Sequence, residues 1–256
     1  MGGKSLDTQE LLEQLVSMSH FLGDPTRKLA ILGEGNTSCR IDEEHFYIKA
    51  SGTTLQTIKD TDFIKVKIGP LLGILDSPTA TDADVQHTLQ ISKVDITESR
   101  MPSVETMLHA VLYQYPEYKF IGHTHPVCVN AILCSQKAEE YIQGRTCPDH
   151  VVVLGRKSVF VPYVDPGLEL AKEVRKRMKH FVENEGYLPR AIFLENHGLI
   201  AMGPTPGKVQ AITLMAEKCA EIVLGSALCG GPKFLPESAV VRIDTRPDEH
   251  YRQKML

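Results

Sequence analysis

Four side chains stand out as able to do chemistry together: Glu105, His123, His125 and His197. Three imidazoles and one carboxylate offer a divalent ion such as zinc four protein ligands, one of them exchangeable for a substrate, and an ion so held is a Lewis acid. The spacing supports convergence. On a strand over residues 120–125, His123 and His125 project to one side and Thr124 to the other. Glu105 falls in a predicted helix that Pro102 and Ser103 open and Pro116 stops, with Val104, Met107, Leu108, Val111, Leu112 and Tyr115 as its apolar face. Glu105, His109 and Tyr113 recur every four residues on the other side, as one stripe. His197 follows a buried run at 191–194 and precedes Gly198, so backbone geometry rather than solubility fixes its place. Taken singly, each histidine reads as readily as an ordinary core or surface residue. The combination carries the case.

Two loops upstream, 33–38 and 51–54, are rich in glycine and hydroxyls. Any turn has this composition. The functional reading is a nest of backbone amides and hydroxyls for an anion such as phosphate, with Lys49 close enough in sequence to add a charge. Gly33-x-Gly35 is not a dinucleotide fingerprint, because Ser38 holds the sixth position and no helix follows.

Gly35-Asn36-Thr37-Ser38, Ser51-Gly52-Thr53, Pro102-Ser103-Val104-Glu105 with His109 and Tyr113 behind it, His123-Thr124-His125 and Asn196-His197-Gly198 together resemble the class II aldolase and adducin-head family. The likeness is spread over most of the chain, and its specificity lies in the order of the motifs. It implies a metal, Zn2+ with Mn2+ or Co2+ as alternatives, held by His123, His125 and His197, with Glu105 as the acid/base residue that also touches the metal. It implies a substrate phosphate at Asn36, Ser51, Gly52 and Ser103. Val104 departs from the pattern, since aldolases of the family place a second serine there. The implied activity is that of a metal-dependent aldehyde-lyase, an aldolase that cleaves a ketose, specifically a ketose 1-phosphate, through a metal-stabilised enediolate. The same ligands would equally serve a sugar-phosphate 4-epimerase, a dehydratase or a decarboxylase. A non-catalytic binding domain like the adducin head is the alternative of another class, and the presence of all four ligands argues against it. Cleavage also needs an acid for the leaving alkoxide. Relatives place a C-terminal tyrosine of one subunit over its neighbour's metal, which points to Tyr251; Tyr141 is the other candidate. The implied assembly is a homotetramer, and the implied partner a small-molecule sugar or sugar phosphate.

The elements that must position these residues follow from periodicity. Helices are predicted at 6–22, 127–134, 167–185 and 206–228. Strands are predicted at 29–32, 38–41, 45–50, 63–68, 92–96, 120–125, 151–154 and 158–163, with a polar loop at 76–90 and an extended tail after Gly230-Gly231-Pro232. Strands in short hairpins alternating with helices imply an α/β fold, which the family likeness sharpens to a three-layer sandwich whose central, largely antiparallel sheet is flanked by helices. No repeat or internal linker interrupts residues 1–256, so one domain is expected. At 256 residues and 42% hydrophobic content the chain can bury a sizeable core. A net charge of −4, with both signs mixed throughout, offers no basic surface for nucleic acid. No run of 18 apolar residues spans a membrane and no signal peptide opens the chain, so a cytoplasmic protein is expected. The six cysteines form no C-x-x-C pair and read as reduced core residues. Bacterial relatives fuse such a domain to a short-chain dehydrogenase, and no dehydrogenase half is expected here.

Overall fold

The computed structural model describes residues 7–248. Seven strands form one sheet: β1 (Asn36–Arg40), β2 (His45–Lys49), β3 (Phe63–Lys67), β4 (Phe120–Thr124), β5 (Val159–Val161), β6 (Ala191–Leu194) and β7 (Gly198–Gly203). Their order is β3-β2-β1-β4-β7-β6-β5. Every neighbouring pair is antiparallel except the edge pair β5 and β6. The sheet is therefore mixed but largely antiparallel.

Alternation along the strands builds two cores. Ile121, Ile200 and Met202 face one side with Phe46, Ile48 and Ile192. Phe120, Leu199 and Ala201 face the other with Cys39 and Phe193. Helices cover both faces: α2 (Ile68–Gly73), α3 (Asp82–Ser92), α4 (Thr106–Leu112) and α8 (Leu168–Glu185) the first, and α1 (Thr8–Leu22), α5 (Val127–Leu133), α6 (Ala138–Gln143), α7 (Pro148–Leu154) and α9 (Pro206–Ser226) the second. Three layers result, and each Leu, Ile or Phe fully buried between them contributes about 1.5–3 kcal/mol.

Several local expectations change. Val151–Leu154 is not a strand but the body of α7, which Pro148 opens at the first helical position and which packs on α9. Its β-branched residues are buried against a helix, so packing overrides their strand propensity. The loop expected at 76–90 contains α3, started by a capping box in which Thr81 and Asp84 bond each other's backbone amides. The strand expected at 92–96 is a single bridge between Lys93 and Val66, and 29–32 is irregular backbone. The described part of the tail is not extended throughout: Pro236 precedes α10 (Glu237–Asp244), which buries Val240. Of the six cysteines only Cys39 and Cys219 are buried, while Cys134 and Cys229 are exposed. Among the described residues no helix is long and apolar enough to cross a membrane.

Candidate metal centre and active site

The site sits where β4 and β7 meet at one end of the sheet. In the register of this pair His123 lies opposite Ile200 and Thr124 opposite Leu199, and across β1 Asn36 lies opposite His123. His125 follows β4 directly, its amide donating to the Leu29 carbonyl at 2.8 Å. His197 occupies the tight turn between β6 and β7. That turn needs Asn196 in the left-handed region at φ 54°, which asparagine tolerates better than most residues. Asn130 on α5 then pins the turn by donating to the His197 carbonyl at 3.0 Å.

Two glycines permit this crowding. A Cβ on Gly198 would lie 2.6 Å from the Thr124 carbonyl oxygen and 2.7 Å from the His125 ring. One on Gly35, at φ 66°, would lie 2.4 Å from the His123 carbonyl oxygen. Any larger residue would push the histidines apart.

Glu105 arrives from the opposite layer. It is the N-cap of α4 rather than a member of its polar face, and the helix begins one residue later, at Thr106. Val104, expected on the apolar face, is exposed. The stripe opposite is buried instead of polar and solvated: His109 and Tyr113 both pack inward against β1. Glu105 is 7% exposed; its Oε2 accepts from Asn36 Nδ2 at 2.6 Å and lies 3.4 Å from His123 Nε2. Its Oε1 lies 3.2 Å from His197 Nε2, yet no hydrogen bond of good geometry satisfies it.

The three histidines present ligand atoms within 4.8 Å of one another. Nε2 of His125 stands 3.0 Å from Nε2 of His123. His123 Nδ1 donates to the Leu199 carbonyl at 3.1 Å, which puts the proton there and leaves a bare lone pair on Nε2. On the outer side His125 Nδ1 faces Glu34 Oε1 at 3.8 Å. Burial is the main reason that both imidazoles are held down at about 4, so they stay neutral at ordinary pH. His125 Nε2 and His123 Nε2 lie within hydrogen-bonding distance, and with His197 Nε2 and the Glu105 oxygens they converge on one space. The donor set thus fits a divalent ion of the zinc type. For Glu105, burial favours the protonated form, but His123, His197 and the Asn36 bond together hold it well below the usual carboxylate range.

Of the residues expected to hold phosphate, Asn36 and Ser103 lie in the Glu105 hydrogen-bond cluster, and Ser51 and Gly52 lie in a loop tied to the segment before Ser103. Ser51 N donates to Met101 O at 2.8 Å and Ser103 N to Lys49 O at 3.2 Å, which ties the two loops together. Ser51 and Gly52 are exposed, with Gly52 at φ 83°. Asn36 Nδ2 reaches Ser103 Oγ at 3.3 Å. Lys49 lies buried beneath, its ammonium held down by desolvation and partly restored by Glu105. Tyr141 is not brought to the cluster: its ring packs on Phe234 at 6.3 Å and under the Lys137 ammonium. Tyr251 lies outside the described residues. The sequence reading assigned no site role to Ser38, Asn130 or Glu34. For Ser38 the signal was available, since the period of β1 puts it on the same side as Asn36.

A sheet of this topology with this donor set defines a class: the chain belongs to the class II aldolase and adducin N-terminal domain family, whose sequence model matches residues 13–224. It is 29% identical over 202 residues to the protein called uncharacterized oxidoreductase YuxG of Bacillus subtilis (strain 168), a match covering 76% of this chain and 27% of that one. It is also 29% identical over 126 residues to the methylthioribulose-1-phosphate dehydratase of Serratia proteamaculans (strain 568), covering 49% of this chain and 48% of that one. The matched part is thus about a quarter of the first relative's length and about half of the second's. Among solved structures, an L-fuculose 1-phosphate aldolase superposes with a TM-score of 0.71 at 20% identity, covering 98% of this chain and 100% of that one, which shows a shared fold.

Proposed function

We propose that this chain is a metal-dependent aldehyde-lyase that cleaves a ketose 1-phosphate, with Glu105 as the acid/base residue. The single observation behind the proposal is the convergence of three imidazole nitrogens within 4.8 Å of one another beside a buried carboxylate oxygen with no hydrogen bond of good geometry. His123, His125 and His197 would hold the ion, zinc or alternatively Mn2+ or Co2+, with Glu105 in contact. A bound divalent cation supplies stabilisation of negative charge on substrate oxygens.

The chain's own residues do the rest. Glu105 Oε2 is engaged by Asn36, so Oε1 is the atom that accepts the substrate's proton and later returns it. A carboxylate held so far down is a weak base until substrate displaces water and draws it away from its cationic surroundings. Ser51, the Gly52 amide and Ser103 bind the substrate phosphate, Asn36 lending its second amide hydrogen and Lys49 its charge. Tyr251 is the proposed acid for the leaving alkoxide, ahead of Tyr141, whose phenol ring is taken up by packing on Phe234. Residues 1–256 are proposed to work as one domain, in a cytoplasmic homotetramer.

A second reading, dehydration of a ketose 1-phosphate at the same residues, is favoured by the likeness to methylthioribulose-1-phosphate dehydratase. A panel of ketose 1-phosphates offered to the zinc-loaded protein separates the two. Release of dihydroxyacetone phosphate with an aldehyde supports cleavage, and loss of water without carbon–carbon cleavage supports dehydration. A protein that holds zinc through these histidines but turns over no member of the panel would sink both.

A further inference from the structure

Behind Glu105 a line of hydrogen bonds runs into the core that the proposed chemistry does not by itself require. Asn36 Oδ1 accepts from His109 Nε2 at 2.5 Å. His109 Nδ1 lies 2.6 Å from Ser38 Oγ, which lies 2.7 Å from the Tyr113 phenol oxygen. Asn36, Ser38, His109 and Tyr113 are all 2% exposed or less. Burying four polar side chains is costly unless every hydrogen is placed, and apolar residues could fill the same space.

Only one placement of hydrogens satisfies the line. An ionised carboxylate accepts and never donates, so the Asn36 amide must turn its NH2 side to Glu105. The opposite orientation would set two acceptors face to face at 2.6 Å. With NH2 toward Glu105, Asn36 Oδ1 faces His109, which must then carry its proton on Nε2. A neutral imidazole protonated there has a bare Nδ1, so Ser38 must donate its one hydroxyl hydrogen inward. The oxygen of Ser38 then accepts from Tyr113. Every donor points the same way, from the phenol to the carboxylate. Burial holds His109 down at about 4, so the ring is neutral as this order demands.

We propose that His109 is a positioning residue: its Nε2–H tautomer, held between the Asn36 carbonyl on one side and the Ser38 hydroxyl, backed by Tyr113, on the other, locks the Asn36 amide so that Glu105 is held by Oε2 and offers only Oε1 to substrate. The kinetic part of this proposal rests on Glu105 being the base of the proposed reaction; the hydrogen order does not. Asn36 therefore has a double part, one amide hydrogen for the carboxylate and one for the phosphate loop.

The test has one arm that needs neither substrate nor metal. In protein labelled with 15N-histidine, the His109 ring, identified by its loss in His109→Gln, should show a protonated Nε2 and an unprotonated Nδ1 throughout the pH range 5–7. Ser38→Ala, which removes one of the two restraints and leaves only the Asn36 side, should measurably weaken that preference, and Ser38→Thr, which keeps the hydroxyl, should restore it. A ring protonated on Nδ1 in the parent, or one unaffected by Ser38→Ala, overturns the proposal. In the kinetic arm Ser38→Ala and Tyr113→Phe, neither of which touches substrate, should lower kcat by about ten- to a hundred-fold, the scale of a misplaced catalytic group, with any rise in KM from the loosened Asn36 coming only together with that fall. An altered tautomer with an unchanged kcat, or a rise in KM alone, also overturns it. Absence of any turnover in the parent protein would fail the aldolase reading instead, and the nitrogen shifts would still decide the order of hydrogens.

Discussion

The two ends of the β4–β7 strand pair could hardly differ more. At one end His123, His125 and His197 crowd together with Glu105, the three rings offering ligand atoms within 4.8 Å of one another. At the other, where Phe120 pairs with Gly203, a cavity of about 690 Å³ opens between Tyr118, Leu188, Met202 and Ile212. Its polar neighbours are already committed. The Tyr118 phenol donates to the Pro189 carbonyl at 2.5 Å and Arg190 to the carbonyls that end α7. Size and chemistry have separated to opposite ends of the same two strands. A hollow of this size does not coincide with the cluster of histidines, which is marked instead by the convergence of imidazoles beside a carboxylate oxygen with no hydrogen bond of good geometry.

Substitutions at each end should break this contrast if it is mistaken. The largest effect is expected for Glu105→Gln, a loss of about 10²- to 10⁴-fold in turnover from removal of the base, with folding intact by circular dichroism. Wild-type exchange of the substrate's α-proton with solvent in this variant would take Glu105 out of the mechanism. His197→Ala should weaken zinc binding by more than about 10²-fold in a competitive chelator titration, beyond what loss of a mere supporting residue costs. Retention of zinc at parental affinity would move the metal elsewhere.

The apolar end should answer in stability alone. Met202→Ala removes a side chain 1% exposed, and about 2–5 kcal/mol of unfolding free energy should go with it, while zinc affinity of the folded protein stays unchanged. A fall in affinity would show that the two ends are coupled. Ser51→Ala is expected to raise KM for a phosphorylated ketose about ten-fold, the worth of one hydrogen bond to a charged group, and to leave that for the free sugar alone. Equal effects on both would place the phosphate away from this loop. The smallest change is expected from mild acid. With His123 and His125 held down at about 4, the part of zinc affinity that depends on these two rings should hold from pH 7 to 5 and be lost as pH drops through that value. Loss centred near the ordinary histidine value of about 6.5 would mean that burial does not govern these rings.

How much of this was legible in the sequence depended on whether a local period carried it. The period of two in β4 put His123 and His125 on one side, and the sheet keeps them there. Glu105 was found, but its setting was not. A helical wheel assigns it to a polar face, whereas it caps the helix, and that depends on where Pro102 and Ser103 join β2. Helix α3 escaped notice because it buries only Thr88, Leu89 and Ser92, too short an apolar stripe to announce a helix. Val151–Leu154 misled because a β-branched run reads as strand unless one knows that α9 lies on it. The line from Tyr113 to Glu105 alternates between β1 and α4, and no single-element pattern can show it.

The central seam between β4 and β7 also has a consequence for synthesis. Strands β1 to β4 emerge from the ribosome as a nearly consecutive antiparallel set, but the partner of β4 on its other side is β7, made only after α5 to α8, β5 and β6. A nascent chain that has reached β5 therefore carries Glu105, His123 and His125 beside the bare edge of a strand whose every residue is buried in the finished sheet, with His197 still unwritten. Such an edge invites pairing with other chains until β7 closes it. The residues that make the site are also the last seam of the sheet to be sewn, so a slow or interrupted ribosome between β4 and β7 should yield aggregate rather than a partly active domain.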